Sequence, residues 1–299
     1  MTLQQLKYVV TVAECCNITE AAKQLFVSQP TVTSAIHDLE KEMQIVIFIR
    51  TNKGVILSED GERFLGHARQ VLEQVDLIEG IYKDDVVSKP HFAVSCQHYS
   101  FAVNAFVDVI RRFDAYQYDF TIREEQTHEI IEDVTNLKSE LGVIYLSSKN
   151  TEVLSKMLKR NELEFTELFT ATPHVFICDS HPLASKNSIT MDDLQDYPYL
   201  TYEQGEYNSQ YFSEEFVSTL DSRKNIRVRD RATLFNLIIG LNGYTVCSGV
   251  ISAELNGRNI ISKPLDVDEY MRIGIISRKG VVLSRYAREY IEALKAHCI

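Results

Sequence analysis

Phe64, Ala68, Val71, Val75, Ile78 and Tyr82 are spaced four, three, four, three and four residues apart. That is the apolar repeat of a helix that lays one stripe against a partner. Ser58-Glu59-Asp60-Gly61 opens the segment, and a helix from there to residue 86 would be roughly 40 Å long at 1.5 Å per residue. Such a rod either packs on its own domain or dimerises; an isolated long stripe beside a small head favours dimerisation. It also divides the 299 residues, a length suited to two or three domains. We expect a head over residues 1–58, a linker and dimerisation helix over 59–87, and a regulatory region over 88–299.

The head reads as short helices. Leu3, Leu6, Val10 and Ala13 have helical spacing. Asn17-Ile18-Thr19 breaks that helix, with Thr19 as the expected cap of a second. Ala21, Ala22 and Leu25 form its inward face, the alanines permitting close packing. Ser28 then caps a third helix in which Pro30 sits in the first turn, where its missing N–H costs nothing. Val32, Ile36 and Leu39 are its buried side. Two short helices about a tight turn read as a helix-turn-helix. Ile45–Phe48 and Val55–Leu57 flank Arg50-Thr51-Asn52-Lys53-Gly54, a hairpin wing with basic side chains near its tip.

Beyond the hinge at residues 84–90 the pattern alternates strand and helix. Strands are expected at 91–95, 118–124, 142–146, 175–178, 199–202, 226–228 and 245–247, with helices from about Ser100 and His128. This alternation predicts parallel α/β sheets with right-handed crossovers. Roughly 210 residues suit two lobes, the first over about 88–164 and 269–299, the second over about 165–268. There is no internal repeat.

Composition is ordinary for a globular chain, 45% apolar and 24% charged. Six cysteines (Cys15, Cys16, Cys96, Cys178, Cys247, Cys298) lack CxxC spacing, which speaks against a zinc cluster or disulfide framework and fits a reducing cytosol. No apolar run reaches membrane-span length, and no basic stretch precedes an apolar core at the N-terminus. A cytoplasmic chain without a membrane partner is expected. The net charge of −11 is uneven. Residues 1–57 hold five basic and five acidic side chains, and the rest holds 26 basic against 37 acidic. The acidic body would repel DNA from all but the intended face, although a neutral head has few phosphate-binding cations.

Ala21-Ala22-Lys23-Gln24-Leu25, Ser28-Gln29-Pro30-Thr31-Val32-Thr33, Leu39-Glu40-Lys41-Glu42, Phe48-Ile49-Arg50-Thr51 and Leu57-Ser58-Glu59-Asp60-Gly61 together resemble the LysR-type transcriptional regulators over residues 1–65. His181-Pro182-Leu183-Ala184 resembles the family in the second lobe. The resemblance implies an N-terminal winged helix-turn-helix, a homodimer or homotetramer, and a two-lobed effector domain like the periplasmic binding proteins. It implies chain crossings near residues 163–168 and 266–272, so that the C-terminal helix returns to the first lobe. Ser34 and His37 stand where the family is commonly basic, Gln44 replaces its usual glycine, and Ile49 its frequent acid. These departures leave fewer charged donors for base edges.

The expected DNA contacts are Thr19, Ser28, Gln29, Pro30, Thr31, Thr33, Ser34, His37, Arg50, Thr51 and Lys53. Hydroxyls and Gln can pair with base edges, and the apolar parts of Pro and Thr suit a thymine methyl. Arg50 and Lys53 suit phosphate or the minor groove. Effectors of two-lobed α/β domains sit beyond strand carboxyl ends, at helix N-termini. Gln97, His98, Tyr99 and Ser100 follow the first such strand, Thr127 the second, and Tyr202, Glu203 and Gln204 lie in the second lobe. Ser100 and Thr127 are candidate helix caps that would turn free N–H groups toward an anion, or caps alone. Arg231 binds an anion or pairs with an acid. The expected effector is an oxyanion, amino acid or organic acid.

Cys96 and Cys247 fall at strand ends, where a redox switch would need a low-pKa thiol; buried packing is the plainer reading. His128-Glu129-Ile130-Ile131-Glu132 lacks the second His of a zinc-protease helix, and there is no Walker loop, GxGxxG or G-x-S-x-G. No enzyme, metal or cofactor is expected.

Overall fold

The N-terminal helix α1 (Leu3–Cys15) begins with a reciprocal cap in which Thr2 Oγ1 accepts the Gln5 amide at 3.2 Å and Gln5 Oε1 accepts the Thr2 amide at 2.9 Å. Its buried face is Leu6, Tyr8, Val9 and Val12, while Leu3 is 43% exposed. The stripe expected from Leu3, Val10 and Ala13 is therefore rotated about the axis, because Tyr8 and Val9 supply the larger apolar surface. Helix α2 (Ile18–Gln24) is capped by Asn17, whose side chain accepts from Thr19 N at 2.9 Å and Glu20 N at 3.2 Å. Thr19 is thus the donor in this cap and not the cap itself. Helix α3 (Gln29–Met43) starts as expected, with Ser28 Oγ accepting Thr31 N at 3.3 Å and a proline in the first turn. Val32, Ile36 and Leu39 are buried in the head's core.

The structure, a computed structural model, describes residues 1–52, 54–82, 90–113, 117–205, 211–215, 223–251 and 257–297. Lys53, Cys298 and residues 84–89 of the hinge expected at 84–90 lie outside the described residues.

The wing pairs β1 (Phe48–Thr51) antiparallel with β2 (Gly54–Leu57), from Phe48↔Leu57 to Thr51↔Gly54. Its lead is held by Glu40, whose Oε1 accepts the amides of Ile47 at 2.7 Å and Phe48 at 3.1 Å. Cys16 closes α1 at φ 50, in the left-handed region, which costs about 1–2 kcal/mol for a residue with a side chain. That turn presents the Cys16 carbonyl to the Val55 amide at 3.0 Å. Gly54, at φ +140, lies so close that a Cβ would meet the same oxygen at 2.3 Å. Gln44 closes α3 the same way at φ 57, without the family's glycine.

Helix α4 (Glu59–Tyr82) carries Glu59, Asp60 and Glu62 in its first turn, where the helix dipole favours anions. Gly61 N donates to Ser58 Oγ at 2.9 Å. Leu65 and Ala68 are buried, but Val71 and Ile78 are 40% and 58% exposed. Of the seam's described side chains, Val71 and Ile78 are thus the exposed ones and Val75 is half-buried.

The second unit holds two lobes. In the first, β3 (His91–Cys96), β4 (Asp119–Glu124), β5 (Leu141–Leu146), β6 (Leu163–Ala171) and β12 (Met271–Arg278) form a sheet of order β4-β3-β5-β12-β6. β3 and β5 are parallel, but β12 runs antiparallel to both β5 and β6. The wholly parallel sheet expected from the alternation is therefore corrected to a mixed one. The first expected crossing, near 163–168, falls within the long strand β6, which stays in the first sheet to Ala171, and the second, near 266–272, is irregular until β12 begins at Met271. Helices α5 (Ser100–Arg112), α6 (Thr127–Thr135) and α7 (Thr151–Arg160) connect these strands. The last helix, α9 (Arg285–His297), returns to this lobe, with Tyr290 OH donating to Ala102 O at 3.0 Å.

In the second lobe, β7 (His174–Cys178) lies between β10 (Thr245–Cys247) and β11 (Ile260–Pro264), antiparallel to both. β8 (Tyr199–Tyr202) pairs parallel with β9 (Asn225–Val228), and α8 (Arg231–Leu241) packs Leu234 and Ile238 against Phe176 and Leu200. One apolar core continues from Phe92, Val94 and Phe101 in the first lobe to Val175, Ile177 and Tyr199 in the second. His181 joins the β7 exit to the α8 end: Nε2 donates to Asn242 O at 3.0 Å and Nδ1 accepts Leu183 N at 3.0 Å. Burial lowers its pKa, and this pairing suits a neutral ring.

Candidate DNA-reading face and effector cleft

The face of α3 opposite Val32, Ile36 and Leu39 is polar and open. Ser28, Gln29, Pro30, Thr31, Ser34 and His37 are exposed, and Thr33 is half-buried. Hydrogen bonds within the face set rotamers: Ser28 Oγ lies 2.7 Å from Thr31 Oγ1, and Gln29 Nε2 donates to Thr33 Oγ1 at 3.1 Å. Thr19 on α2 and Arg50 and Thr51 on β1 are exposed as well. Thr51 Oγ1 donates to Gly54 O at 3.2 Å, tightening the wing tip. Ten of the eleven expected DNA contacts are therefore on the head's surface, with Lys53 outside the described residues.

The cleft between the lobes encloses about 480 Å³ of space, part of it open to solvent. Five of the nine expected effector residues line it: His98, Tyr99, Ser100, Tyr202 and Arg231. Ser100 does not cap α5. Tyr99 occupies the cap position without a side-chain bond, and Ser100 Oγ is buried with no hydrogen-bond partner. Thr127 does not cap α6 either. Its hydroxyl accepts from Gln97 Nε2 at 2.7 Å and donates to Phe212 O at 2.7 Å, while its amide donates to Gln204 Oε1 at 3.1 Å. Gln97 also accepts from Tyr145 N and from Tyr99 OH, both at 3.1 Å. Gln97, Thr127 and Gln204 thus form a buried brace behind the cleft wall. Glu203 pairs with Arg229.

Arg231 pairs with Glu124 at 3.0 Å, yet its Nη1 is buried without a hydrogen-bond partner. Thr245 Oγ1 on β10 is likewise buried and unpartnered, and it lines the same cleft. Phe176, Leu234 and Phe235 supply apolar wall. Thr245, Glu214 and Glu215 had no local signal: no cap, motif or periodicity marks them, and only the fold brings them here.

Burial, with the neighbouring Glu214 charge adding, pushes Glu215 up to about 8. Burial raises Glu124 too, the nearby Arg231 only partly offsetting it. For His98 burial opposes the charged form, but the Glu214 carboxylate outweighs it and the pKa is raised. The His98 ring stacks on Tyr202 at 3.9 Å and 6°. Burial also raises the thiols of Cys96, where Glu124 adds to it, and of Cys247.

Two family models match the chain. The bacterial regulatory helix-turn-helix of the LysR family matches residues 3–62, and the LysR substrate-binding domain matches residues 95–299. The chain is 22% identical over 302 residues to the DNA-binding transcriptional dual regulator OxyR of Escherichia coli K12, covering 99% of this chain and 95% of that one. It is 29% identical over 210 residues to the regulator CysB of Burkholderia cenocepacia, covering 68% and 63%. In fold it is similar to a full-length OxyR variant of Pseudomonas aeruginosa, with a TM-score of 0.64, 21% identity and coverage of 99% and 98%. It is also similar to CbnR, a LysR family regulator, with a TM-score of 0.55, 18% identity and full coverage of both chains. The chain belongs to the LysR family and is a DNA-binding transcriptional regulator with an effector-binding domain.

Proposed function

We propose that this regulator is controlled by a small anionic or zwitterionic effector, an oxyanion, amino acid or organic acid, held between its two lobes. One observation carries the reading: Ser100 Oγ, Thr245 Oγ1 and Arg231 Nη1 are buried, lack hydrogen-bond partners and belong to residues lining one cleft. Leaving such donors unmet costs about 1–3 kcal/mol each, a cost that a ligand oxyanion would remove. The apolar wall suits a hydrocarbon body. Binding would change the angle between the lobes and so the spacing of paired DNA heads.

The domain limits proposed are 1–58, 59–87 and 88–299. On the head, the exposed α3 face and Thr19 read bases and sugar-phosphate, and Arg50, Thr51 and Lys53 hold the backbone. The exposed Val71 and Ile78 support self-association through α4, as a homodimer or a homotetramer. Cytoplasmic action without catalysis fits these roles, and no described helix is long and apolar enough to cross a membrane.

A thermal-shift screen of the full chain against amino acids, organic acids and inorganic oxyanions tests the effector reading. A ligand at 100 times its Kd adds about 2.7 kcal/mol, a shift on the order of 5–10 °C for a unit of this size. A hit lost in Ser100→Ala and Thr245→Val supports the cleft; a hit unaffected by both removes it. A 22% identity over 302 residues to a hydrogen peroxide-inducible genes activator of Escherichia coli O6:H1 favours a second reading, oxidation at Cys96 or Cys247. The raised thiols weigh against it. An oxidant response of DNA binding that vanishes in Cys96→Ser or Cys247→Ser would restore it.

A further inference from the structure

A segment of the second lobe, Phe212–Glu215, lies against the strand ends of the first. Thr127 Oγ1 donates to Phe212 O at 2.7 Å and Tyr145 OH donates to Ser213 O at 3.0 Å. Between them Glu214 reaches the turn before α5. Its carboxylate accepts the His98 backbone N–H at 2.9 Å, lies 2.8 Å from His98 Nδ1, and accepts Gln204 Nε2 at 3.2 Å. The two side chains are only 4% and 5% exposed. His98 Nε2 faces Arg229 O at 3.0 Å. A carbonyl only accepts, so Nε2 carries a hydrogen, and Nδ1 either donates to an ionised Glu214 as part of an imidazolium or accepts from the carboxylic acid; the raised pKa of His98, with the Glu214 contact outweighing burial, favours the imidazolium. Glu124, Glu215, Asp230 and Arg231, the phenols of Tyr202, Tyr99 and Tyr145 and the Cys96 thiol are among the charged or titratable groups about this pair.

Three donors, one of them cationic, therefore converge on a single buried carboxylate. A site built this way holds anions by short charge-assisted bonds. We propose that His98 and Gln204 form an anion seat specific for carboxylates, that Glu214 is its tethered occupant, and that a carboxylate effector enters the cleft by exchanging with Glu214. The proposal rests on the effector reading above and adds how the site is kept shut. One carboxylate replaces another, so the buried imidazolium is never left unpaired, which would be the expensive state. The freed Glu214 takes Phe212–Glu215 with it, unfastening the second lobe from Thr127 and Tyr145.

Acetate is the side chain that Glu214→Ala removes, and it is the probe. In full-length protein, sodium acetate compared with sodium chloride at equal ionic strength should raise the Tm of Glu214→Ala by several degrees and leave wild type unchanged. The gain should persist in the double variant Glu214→Ala/Ser100→Ala, which separates the seat from the orphaned hydroxyl of the effector reading. Equal shifts in wild type and Glu214→Ala, or no shift in a folded Glu214→Ala, overturn the proposal. If the alanine variant does not fold, Glu214→Gln keeps the shape and removes the charge. Nitrogen-15 spectra at pH 7 should then show both His98 ring nitrogens protonated in wild type and only one in the variant. A neutral His98 ring in wild type overturns the proposal outright.

Discussion

The DNA head and the effector cleft use polar side chains in opposite ways. On α3 the hydroxyls and amides stand in solvent, and their bonds run three or four residues along the helix, Ser28 to Thr31 and Gln29 to Thr33. In the cleft they are buried, and their partners lie far off in the chain, 77 residues for Thr127 and Gln204 and 116 for His98 and Glu214. A solvated face can lose one donor at little cost in stability. A buried brace such as Gln97, Thr127 and Gln204 is over-determined, and beside it the unpartnered Ser100, Thr245 and Arg231 atoms are costly.

Four measurements would break or sharpen that contrast. The largest effect should come from Leu39→Ala in the head core, where full burial sets a loss of about 2–5 kcal/mol. Calorimetry should show the head's transition falling and that of the effector unit unmoved; a joint fall would mean that the two units do not unfold independently. Next is Glu215→Gln. The folded pKa of Glu215 is raised to about 8 from an ordinary 4.5, so its contribution is whole below 4.5 and declines as pH rises through 8. Each pH unit in that window costs up to about 1.4 kcal/mol. Wild type should lose Tm between pH 5 and 8, and Glu215→Gln should flatten that loss; parallel curves would show the carboxyl to be ionised throughout.

Smaller is Arg50→Ala on the wing, which should weaken binding to every duplex and reduce the salt slope by about one. A loss confined to one sequence, with an unchanged slope, would make Arg50 a base reader instead. The smallest change in stability should follow Thr245→Val, within about 1 kcal/mol, since no hydrogen bond is broken. The response to a ligand should nevertheless disappear; a retained response would take Thr245 out of the cleft's recognition set.

What the sequence disclosed follows from the same contrast. Caps, turns and helical stripes act over a few residues, so Ser28, Pro30 and the buried Val32, Ile36 and Leu39 were readable. Asn17 was misread as a breaker because Asn and Thr19 both cap well, and only backbone geometry decides between them. Strands β6, β11 and β12 escaped detection, since β6 and β12 alternate weakly and owe their place to pairing with each other. The turn after β3 was located, but the roles of Ser100 and Thr127 were not. Whether a hydroxyl caps its own helix or braces another segment depends on what the fold sets beside it. Glu214 and Glu215 look like ordinary surface acids until Tyr202, His98 and Gln204 close over them.

The left-handed turn at Cys16 bears on how such a head diverges. The wing hangs from a main-chain oxygen, Cys16 O to Val55 N, and its lead hangs from Glu40. Neither anchor uses a side chain of Arg50 or Thr51. Arg50 can therefore be exchanged without loosening either anchor, and new operator preferences can be explored on a mount that stays fixed. Gly54 is the exception: any side chain there would strike the carbonyl from which the wing is suspended.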